Sequence, residues 1–255
     1  MLFDSHTHTE FSADSEMLAS EALETAERLG LGLVFTEHLD LEAAPIEFTF
    51  DPLAYWKKYL PLRGEKLRLG IEVGMKAGTL EGSREFVSQV PFDQVIGSIH
   101  FLDDLDIYYP DFFEGKEKEE AYRKYFRAMV DNLYSHDFID ILAHIDYICR
   151  TAPYDNPELD YGSFKEEIDE VLKAVIETET VLELNTRRFG DKLAVKELVP
   201  IYRRYREMGG RYVAIGSDAH KQEAIGAHFY QARRFASEMN LQPVTFCKRR
   251  MELCD

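Results

Sequence analysis

The 255-residue sequence predicts an α/β fold in which a single parallel sheet closes into a TIM-like barrel. The first observation is that short aliphatic runs alternate with charged amphipathic segments, a pattern typical of βαβ units. The second is that seven such units follow one another. The third is that the first strand is not followed by the glycine-rich dinucleotide-binding fingerprint that is typical of an open Rossmann sheet. An open doubly wound parallel sheet is the alternative fold.

The predicted strands are short apolar runs bounded by polar residues or glycine, as expected for buried parallel strands. They span Leu2–Ser5, Leu33–Thr36, Leu67–Ile71, Gln94–Ser98, Ile139–Ala143, Val181–Leu184 and Tyr212–Ile215.

The segments between the strands show helical periodicity. The first helix is expected to begin at Ser15, a good N-cap residue, and to end at Gly30. The second opens at Asp51-Pro52, with proline in its first turn. The other predicted helices span Glu81–Val90, Glu117–Tyr134, Ser163–Thr178, Val195–Met208 and Gln231–Met239.

Composition narrows the class of protein. Lys and Arg total 30 against 47 Asp and Glu, a net charge of -17. This charge argues against a nucleic-acid partner, because affinity for the phosphate backbone comes from clustered Lys and Arg. No apolar run approaches the ~20 residues that span a bilayer, and no secretory signal opens the chain, so no membrane partner is expected. Cys149, Cys247 and Cys254 are too widely spaced for a disulfide framework, which favours a cytoplasmic protein. We expect one domain over residues 1–255.

Histidines collect at the ends of the predicted strands. The six that follow a strand within a few residues are His6, His8, His38, His100, His144 and His220. Glu72 follows the third strand, and Asp218 follows the seventh. Because the carboxyl ends of parallel barrel strands meet at one rim, these side chains are expected to share one site. Imidazole together with carboxylate favours Zn, Mn or Fe. His136 and His228 lie in or beside helical segments and carry no such signal.

Six short motifs resemble those of the PHP (polymerase and histidinol phosphatase) family of metal-dependent phosphoesterases. They are Asp4–His8, Glu37-His38, Glu72, Gly97–His100, His144 and Gly216–His220. The resemblance covers essentially the whole chain, and residues 92–101 and 182–186 are most similar to the histidinol-phosphatase branch. It implies a distorted barrel of seven strands and seven helices.

The resemblance also implies a cluster of about three divalent transition-metal ions. The first ion would take His6, His8, Glu72 and Asp218; the second would share Glu72 and take His100 and His144; the third would take Asp14, His38 and His220. Outside this set, Glu37 would orient a ligand or a bound water, and Asp4 would fix an imidazole of the first motif.

The implied reaction is hydrolysis of a phosphate monoester by in-line attack of a hydroxide that bridges two metal ions. The predicted catalytic residues are Glu72, Asp218, His220, Arg150, Arg187 and Arg188. Arg150 and one of the two later arginines would hold phosphate, because guanidinium offers it bidentate geometry. The general acid stays open among Asp218, His220 and a water on the metal.

The favoured substrate is L-histidinol phosphate, cleaved to histidinol and phosphate in histidine biosynthesis. Its ammonium and imidazole groups need carboxylates and aromatic rings on the same rim. The candidates are Glu37, Asp103, Asp104, Asp106, Asp146, Phe101, Tyr108 and Tyr147.

Three alternative functions stay open. The first is a PHP phosphoesterase for a nucleotide or another small phosphate ester. The second is a metal-dependent amidohydrolase, a class that also carries His-x-His on its first strand but bridges its metals with a modified lysine. The third is a PHP-like scaffold without metals, against which the complete ligand set argues. The sequence leaves metal identity and oligomeric state open.

Overall fold

The computed structural model describes residues 1–43 and 48–254. The strands found there are β1 (Phe3–Thr7), β2 (Gly32–Leu39), β3 (Leu67–Gly74), β4 (Gln94–Ser98), β5 (Phe101–Leu102), β6 (Leu105–Asp106), β7 (Ile141–Leu142), β8 (Val181–Asn185), β9 (Tyr212–Gly216), β10 (Gln242–Cys247) and β11 (Arg250–Leu253). Strands β5 and β6 form a separate hairpin, and the others form one sheet in chain order. Neighbours from β1 to β10 pair in parallel, and β11 returns antiparallel to β10.

The predicted α/β fold with a mostly parallel sheet is confirmed. All seven predicted strands are present, although β2 and β3 extend three residues further than predicted. Strands β5, β6, β10 and β11 were not predicted. The side chains of β11 are exposed throughout. An exposed strand does not need the continuous apolar run by which buried parallel strands are recognised in a sequence.

The described residues form seven α-helices. They are α1 (Ala19–Leu29), α2 (Pro52–Tyr59), α3 (Leu80–Ser88), α4 (Lys118–Ser135), α5 (Lys165–Glu177), α6 (Lys192–Glu207) and α7 (Phe229–Glu238). The carboxylate of Asp51 caps α2 as predicted, by accepting hydrogen bonds from Leu53 N and Ala54 N. None of these helices combines the length and the apolar character needed to cross a membrane.

The prediction that Ser15 caps the first helix was wrong. Helix α1 begins four residues later, with Leu18 at its N-cap, and ends at Gly30 in the left-handed conformation as expected. Ser15 Oγ instead donates towards the carbonyl oxygens of His8 and His220, at 3.3 and 3.2 Å. The hydroxyl therefore joins two loops that follow different strands.

The segment after β9 also bonds to the end of β1. Asp218 N donates to His6 O, and His8 N donates to Ala219 O, both at 2.9 Å. Thr7 and Ala219 form an isolated parallel bridge. These bonds bring the first and seventh predicted strand ends side by side.

One face of the sheet is apolar near the amino ends of its strands and polar near their carboxyl ends. In β8, Val181, Glu183 and Asn185 point the same way, because side chains alternate along a strand. Val181 belongs to a small apolar cluster made by five strands and the residue that follows β7: Ile96, Ile141, Ala143, Val181, Ala214, Val244 and Phe246. Glu183 and Asn185 instead bond to His6 and Arg150. The amino ends of the strands thus contribute apolar side chains to a packed core, and the carboxyl ends contribute polar side chains to the site.

Asp93, just before β4, anchors the last two strands. Its carboxylate accepts bonds from Leu69 N at 3.0 Å and Lys248 N at 2.8 Å, and it pairs with Arg63 at 2.5 Å. Burial raises the pKa of Asp93, but these donors outweigh it and hold the pKa below its usual value. The carboxylate therefore joins the start of β3 to the β10–β11 turn.

We expect Asp93→Ala to lower the free energy of unfolding by about 3 kcal/mol, because two backbone donors and a guanidinium lose their acceptor. Urea denaturation measures this change. The matched control is Asp137→Ala, which breaks the exposed 2.7 Å pair with Arg84 and should cost less than about 1 kcal/mol. Equal losses in the two variants would contradict the anchoring role.

Candidate metal centre

The Glu72 carboxylate, on β3, lies fully buried among imidazoles. Five ring nitrogens approach its oxygens: His38 Nδ1 at 2.9 Å, His144 Nε2 at 3.1 Å, His6 Nε2 at 3.2 Å, His100 Nε2 at 3.4 Å and His8 Nε2 at 3.5 Å. These histidines lie on or just after four different strands. The ends of parallel strands therefore meet as the sequence analysis expects.

Asp218 joins His6 and His8 beside this carboxylate. Its Oδ1 lies 3.5 Å from His8 Nε2 and 3.9 Å from His6 Nε2. Gly216 makes this approach possible, because a Cβ there would lie 2.5 Å from the His6 Cβ. Asp218 itself has a left-handed φ of 56°, which is uncommon outside glycine and turns the chain sharply before His220.

The other side of Glu72 faces two further imidazoles. Oε1 is the oxygen nearest His100 and His144, and it also accepts a hydrogen bond from Ser98 Oγ on β4. Oε2 is the oxygen nearest His6 and His8. Oε1 thus faces the second predicted ligand set, whereas Oε2 faces the first set and also His38 of the third, whose Nδ1 is 2.9 Å away.

Asp14, His38 and His220 form the third predicted group. Asp14 Oδ2 lies 3.1 Å from His220 Nε2 and 3.6 Å from His38 Nε2, and the two Nε2 atoms are 3.4 Å apart. The Asp14 side chain is 42% exposed, whereas that of His38 is 10% exposed. This group therefore forms the solvent side of the cluster.

The possible ligand atoms overlap between neighbouring groups. In four sets of three residues, all the ligand atoms lie within 4.8 Å of one another. The sets are His6, His8 and Asp218; His6, Glu72 and His144; His38, Glu72 and His100; and His8, His38 and His220. The arrangement is one compact cluster whose members share residues.

Within residues 1–43 and 48–254, several buried atoms of the cluster approach one another without the geometry of a hydrogen bond. They are His6 Nε2, His8 Nε2, His38 Nδ1 and Glu72 Oε2. Buried polar atoms are costly without a partner, and lone pairs that converge on one point suit a cation. The donor set of imidazole nitrogen and carboxylate oxygen therefore fits divalent metal ions such as zinc.

The electrostatics of the cluster supports the same conclusion. Burial raises the pKa of Glu72, but positive charge on His6, His38 and His100 outweighs it and holds the pKa well below its usual range. Burial lowers the pKa of His8 well below its usual value, and repulsion from the positive charge on His38 and His220 lowers it further. Burial also lowers the pKa of His38, but Glu72 and Asp14 outweigh it and raise that pKa to about 10. Protons on imidazoles thus balance the carboxylates, and metal ions compete for the same nitrogens.

Glu183 fixes two residues of the cluster from behind. His6 Nδ1 donates to Glu183 Oε1 at 2.7 Å, which leaves Nε2 to face Glu72. His144 N donates to Glu183 Oε2, also at 2.7 Å. The sequence analysis assigned Glu183 no role. The available signal was a carboxylate between two leucines in a buried strand.

Two further imidazoles have acceptors behind them. His100 Nδ1 donates to Asp40 Oδ1 at 3.0 Å. His8 Nδ1 donates to Ser12 Oγ at 3.0 Å, and Ser12 in turn donates to Glu37 Oε2 at 2.6 Å. Glu37 therefore reaches the His8 imidazole through Ser12. The sequence analysis missed Ser12 and Asp40, although Asp40 stands two residues after His38 at a strand end.

The structure places Asp4 differently from its predicted role. Its carboxylate accepts from Ser217 N, Ser217 Oγ and Gly226 N at 2.6–2.9 Å, and Glu183 takes the His6 ring instead. Burial raises the pKa of Asp4 to about 6, against the effect of these donors. Asp4 thus holds the loop that carries Asp218.

A pocket of about 360 Å³ opens onto the cluster, and two of the three predicted arginines line it. Arg150 Nη1 pairs with Asp218 Oδ2 at 2.7 Å, and Arg187 Nη1 donates to Asp218 O at 2.9 Å. Arg188 does not line the pocket. Its guanidinium bonds to Asp146 and Glu158, so the structure assigns it to loop packing.

The predicted substrate-side residues divide in the same way. Phe101, Asp106, Tyr108 and Tyr147 line the pocket, together with Phe48 and Tyr109, which the sequence analysis did not name. The other predicted carboxylates are bonded elsewhere: Glu37 to Thr9 and Ser12, Asp103 to Lys124, Asp104 to Lys76 and Asp146 to Arg188. His136 and His228 lie at helix ends, outside the pocket lining.

The family model described as PHP domain matches residues 4–187, which include seven of the nine predicted ligands. The chain belongs to the PHP domain family. Relatives cover the rest of this PHP protein as well. A probable histidinol-phosphatase of Clostridium acetobutylicum is 44% identical over 254 residues, 99% of each chain. The histidinol-phosphatase of Lactococcus lactis is 30% identical over 234 residues, 88% of this chain and 87% of that one.

A solved structure resembles this PHP fold over nearly its full length. It is the crystal structure of a histidinol phosphate phosphatase from Lactococcus lactis in complex with zinc, L-histidinol and phosphate. The two share a TM-score of 0.92 and 28% sequence identity, and the match covers 98% of each chain.

We expect Glu183→Gln to weaken metal binding by this PHP domain about 10-fold to 100-fold. An amide offers one acceptor where the carboxylate serves both His6 Nδ1 and His144 N, and its NH₂ group faces one of these donors. Competition with a chromogenic chelator measures the affinity. Glu177→Gln, on the exposed end of α5, is the matched control. Unchanged affinity in Glu183→Gln would contradict this role.

Proposed function

We propose that this protein hydrolyses L-histidinol phosphate to L-histidinol and phosphate, a step of histidine biosynthesis. The observation that carries the proposal is the carboxylate–imidazole cluster around Glu72, which opens into a pocket lined by Arg150 and Arg187. Whole-length similarity to histidinol-phosphatases, one of them solved with zinc, histidinol and phosphate, supports this substrate.

We infer that about three divalent ions bind in this cluster, with zinc, manganese or iron suited to its nitrogen and oxygen donors. The proposed ligands are His6, His8, Asp14, His38, Glu72, His100, His144, Asp218 and His220. Bound there, divalent ions would stabilise charge on the phosphate oxygens and lower the pKa of water.

The residues of the chain then act by position and charge. Glu72 is shared between two ligand sets through its separate oxygens. Arg150 and Arg187 supply guanidinium groups for the non-bridging phosphate oxygens, and both already contact the Asp218 residue. Asp218 and His220 line the same wall, so the proton required by the leaving alkoxide is proposed to come from this side.

We also propose that the sheet is a closed, distorted barrel and that residues 1–255 form one domain. The bonds between the end of β1 and residues 218–219 support closure, since they join the first strand to the segment after β9. The Asp93 contacts support a single domain, because they join the β10–β11 turn to the earlier strands. Closure explains how the first motif and Asp218 reach one site.

The proposed substrate can be tested by the ratio of two kcat/KM values. We expect L-histidinol phosphate to exceed p-nitrophenyl phosphate by about 10²-fold or more, because a fitted polar pocket rejects esters that leave its groups unpaired. Phosphate release with added Zn²⁺ or Mn²⁺ measures both. Equal kcat/KM values would indicate a phosphoesterase of broader specificity rather than a biosynthetic histidinol-phosphatase. The absence of hydrolysis with both esters would contradict phosphatase activity.

Arg187→Ala should lower kcat/KM by about 10²-fold, equivalent to about 3 kcal/mol, for every phosphate ester. The reason is that its guanidinium would meet the phosphate, which all esters share. Steady-state kinetics with histidinol phosphate and p-nitrophenyl phosphate measure the change. Arg206→Ala, an exposed position on α6, is the matched control. A loss confined to one ester would place Arg187 at the leaving group instead.

A further inference from the structure

The β5–β6 hairpin forms part of the pocket wall beside the proposed metal centre. Phe101 pairs with Asp106 across the hairpin, and both line the pocket. Ile107 N donates to His100 O at 2.9 Å, and Tyr108 N donates to Asp106 Oδ1 at 2.8 Å. These bonds fix the position of the Asp106 side chain relative to His100.

Asp106 differs from the other carboxylates that line the pocket. Asp14 pairs with His220, Asp40 with His100, and Asp218 with Arg150, at 3.1, 3.0 and 2.7 Å. Among residues 1–43 and 48–254, Asp106 has no Lys, Arg or His nitrogen within 4 Å, and its side chain accepts only the bond from Tyr108 N. Burial raises the pKa of Asp106, as expected for a carboxylate without a close counter-ion. It is therefore able to accept a cation from a ligand.

Neighbouring acidic residues of the same hairpin do not share this property. Asp103 pairs with Lys124, and Asp104 pairs with Lys76 at 2.6 Å. Their side chains are 48% and 82% exposed, and neither lines the pocket. The local negative charge of the turn is thus neutralised outside the pocket, and Asp106 alone of the three lies on its wall.

We propose that Asp106 determines specificity by binding the ammonium group of the substrate. This inference rests on the proposed function, in which phosphate occupies the metal centre with Arg150 and Arg187. A carboxylate–ammonium hydrogen bond in a partly buried wall is charge-assisted and strong. The rings of Phe101 and Tyr108 lie on the same wall and add aromatic surface for a cationic or planar group. The pocket therefore takes a phosphate ester that also carries an amine.

The test is a double-mutant cycle between Asp106 and the substrate amine. Wild type and Asp106→Asn are assayed with L-histidinol phosphate and with 3-(imidazol-4-yl)propyl phosphate, in which a hydrogen atom replaces the amine and the rest of the molecule is the same. In wild type, removal of the amine should lower kcat/KM by about 10-fold to 100-fold, the range for a hydrogen bond between charged groups. In Asp106→Asn this preference should fall to about threefold or less. Asp103→Asn and Asp104→Asn are the matched controls and should keep the wild-type preference.

An unchanged preference for the amine in Asp106→Asn would overturn the inference. If both imidazole esters lose the same factor, Asp106 supports His100 rather than binding the amine. If neither ester loses activity, Asp106 has no role in recognition. A melting temperature for each variant verifies folding. The comparison of wild-type histidinol phosphate with p-nitrophenyl phosphate tests the proposed function separately, because it does not involve Asp106 substitution.

Discussion

The free-energy cost of burying the Glu72 carboxylate determines what surrounds it. An anion in a water-free site requires compensating positive charge, and imidazoles from four strand ends supply it within 3.5 Å. These strands must end at the same level of the sheet to do so. The register of the parallel sheet is therefore tied to the geometry of the site. The small apolar cluster below Glu183 supports that register at the opposite end of the strands.

Much of this arrangement could be predicted from the sequence. Buried parallel strands leave short aliphatic runs, so seven strands were predicted nearly at their observed positions. Histidines and carboxylates directly after such runs predicted which residues would meet, and the structure brings His6, Glu72 and Asp218 together from segments more than 60 residues apart. The family resemblance added the division of these residues into ligand sets. The two carboxylate oxygens of Glu72 are consistent with that division.

The residues that hold the site residues in place could not be predicted, because they come from strands and loops far apart in the chain. Glu183 reaches His6 from β8, and Asp4 on β1 reaches Ser217 instead. Local sequence also did not distinguish Asp106 from Asp103 and Asp104. A lysine of α4 pairs with Asp103 and a lysine just after β3 pairs with Asp104, and nothing in the hairpin sequence indicates those contacts. Tertiary contacts, and not the local sequence, therefore distinguish the surface carboxylates Asp103 and Asp104 from the pocket carboxylate Asp106.

The bonds between Asp4 and the loop before Asp218 also bear on protein synthesis. Asp4 and Ser217 stand 213 positions apart, so a ribosome working at about 5–20 residues per second separates their appearance by tens of seconds. During that interval His6 and His8 lack the loop that places Asp218 beside them. The centre is completed only when most of the chain has been translated. A nascent chain interrupted before this point carries the first imidazoles without the aspartate that completes their group.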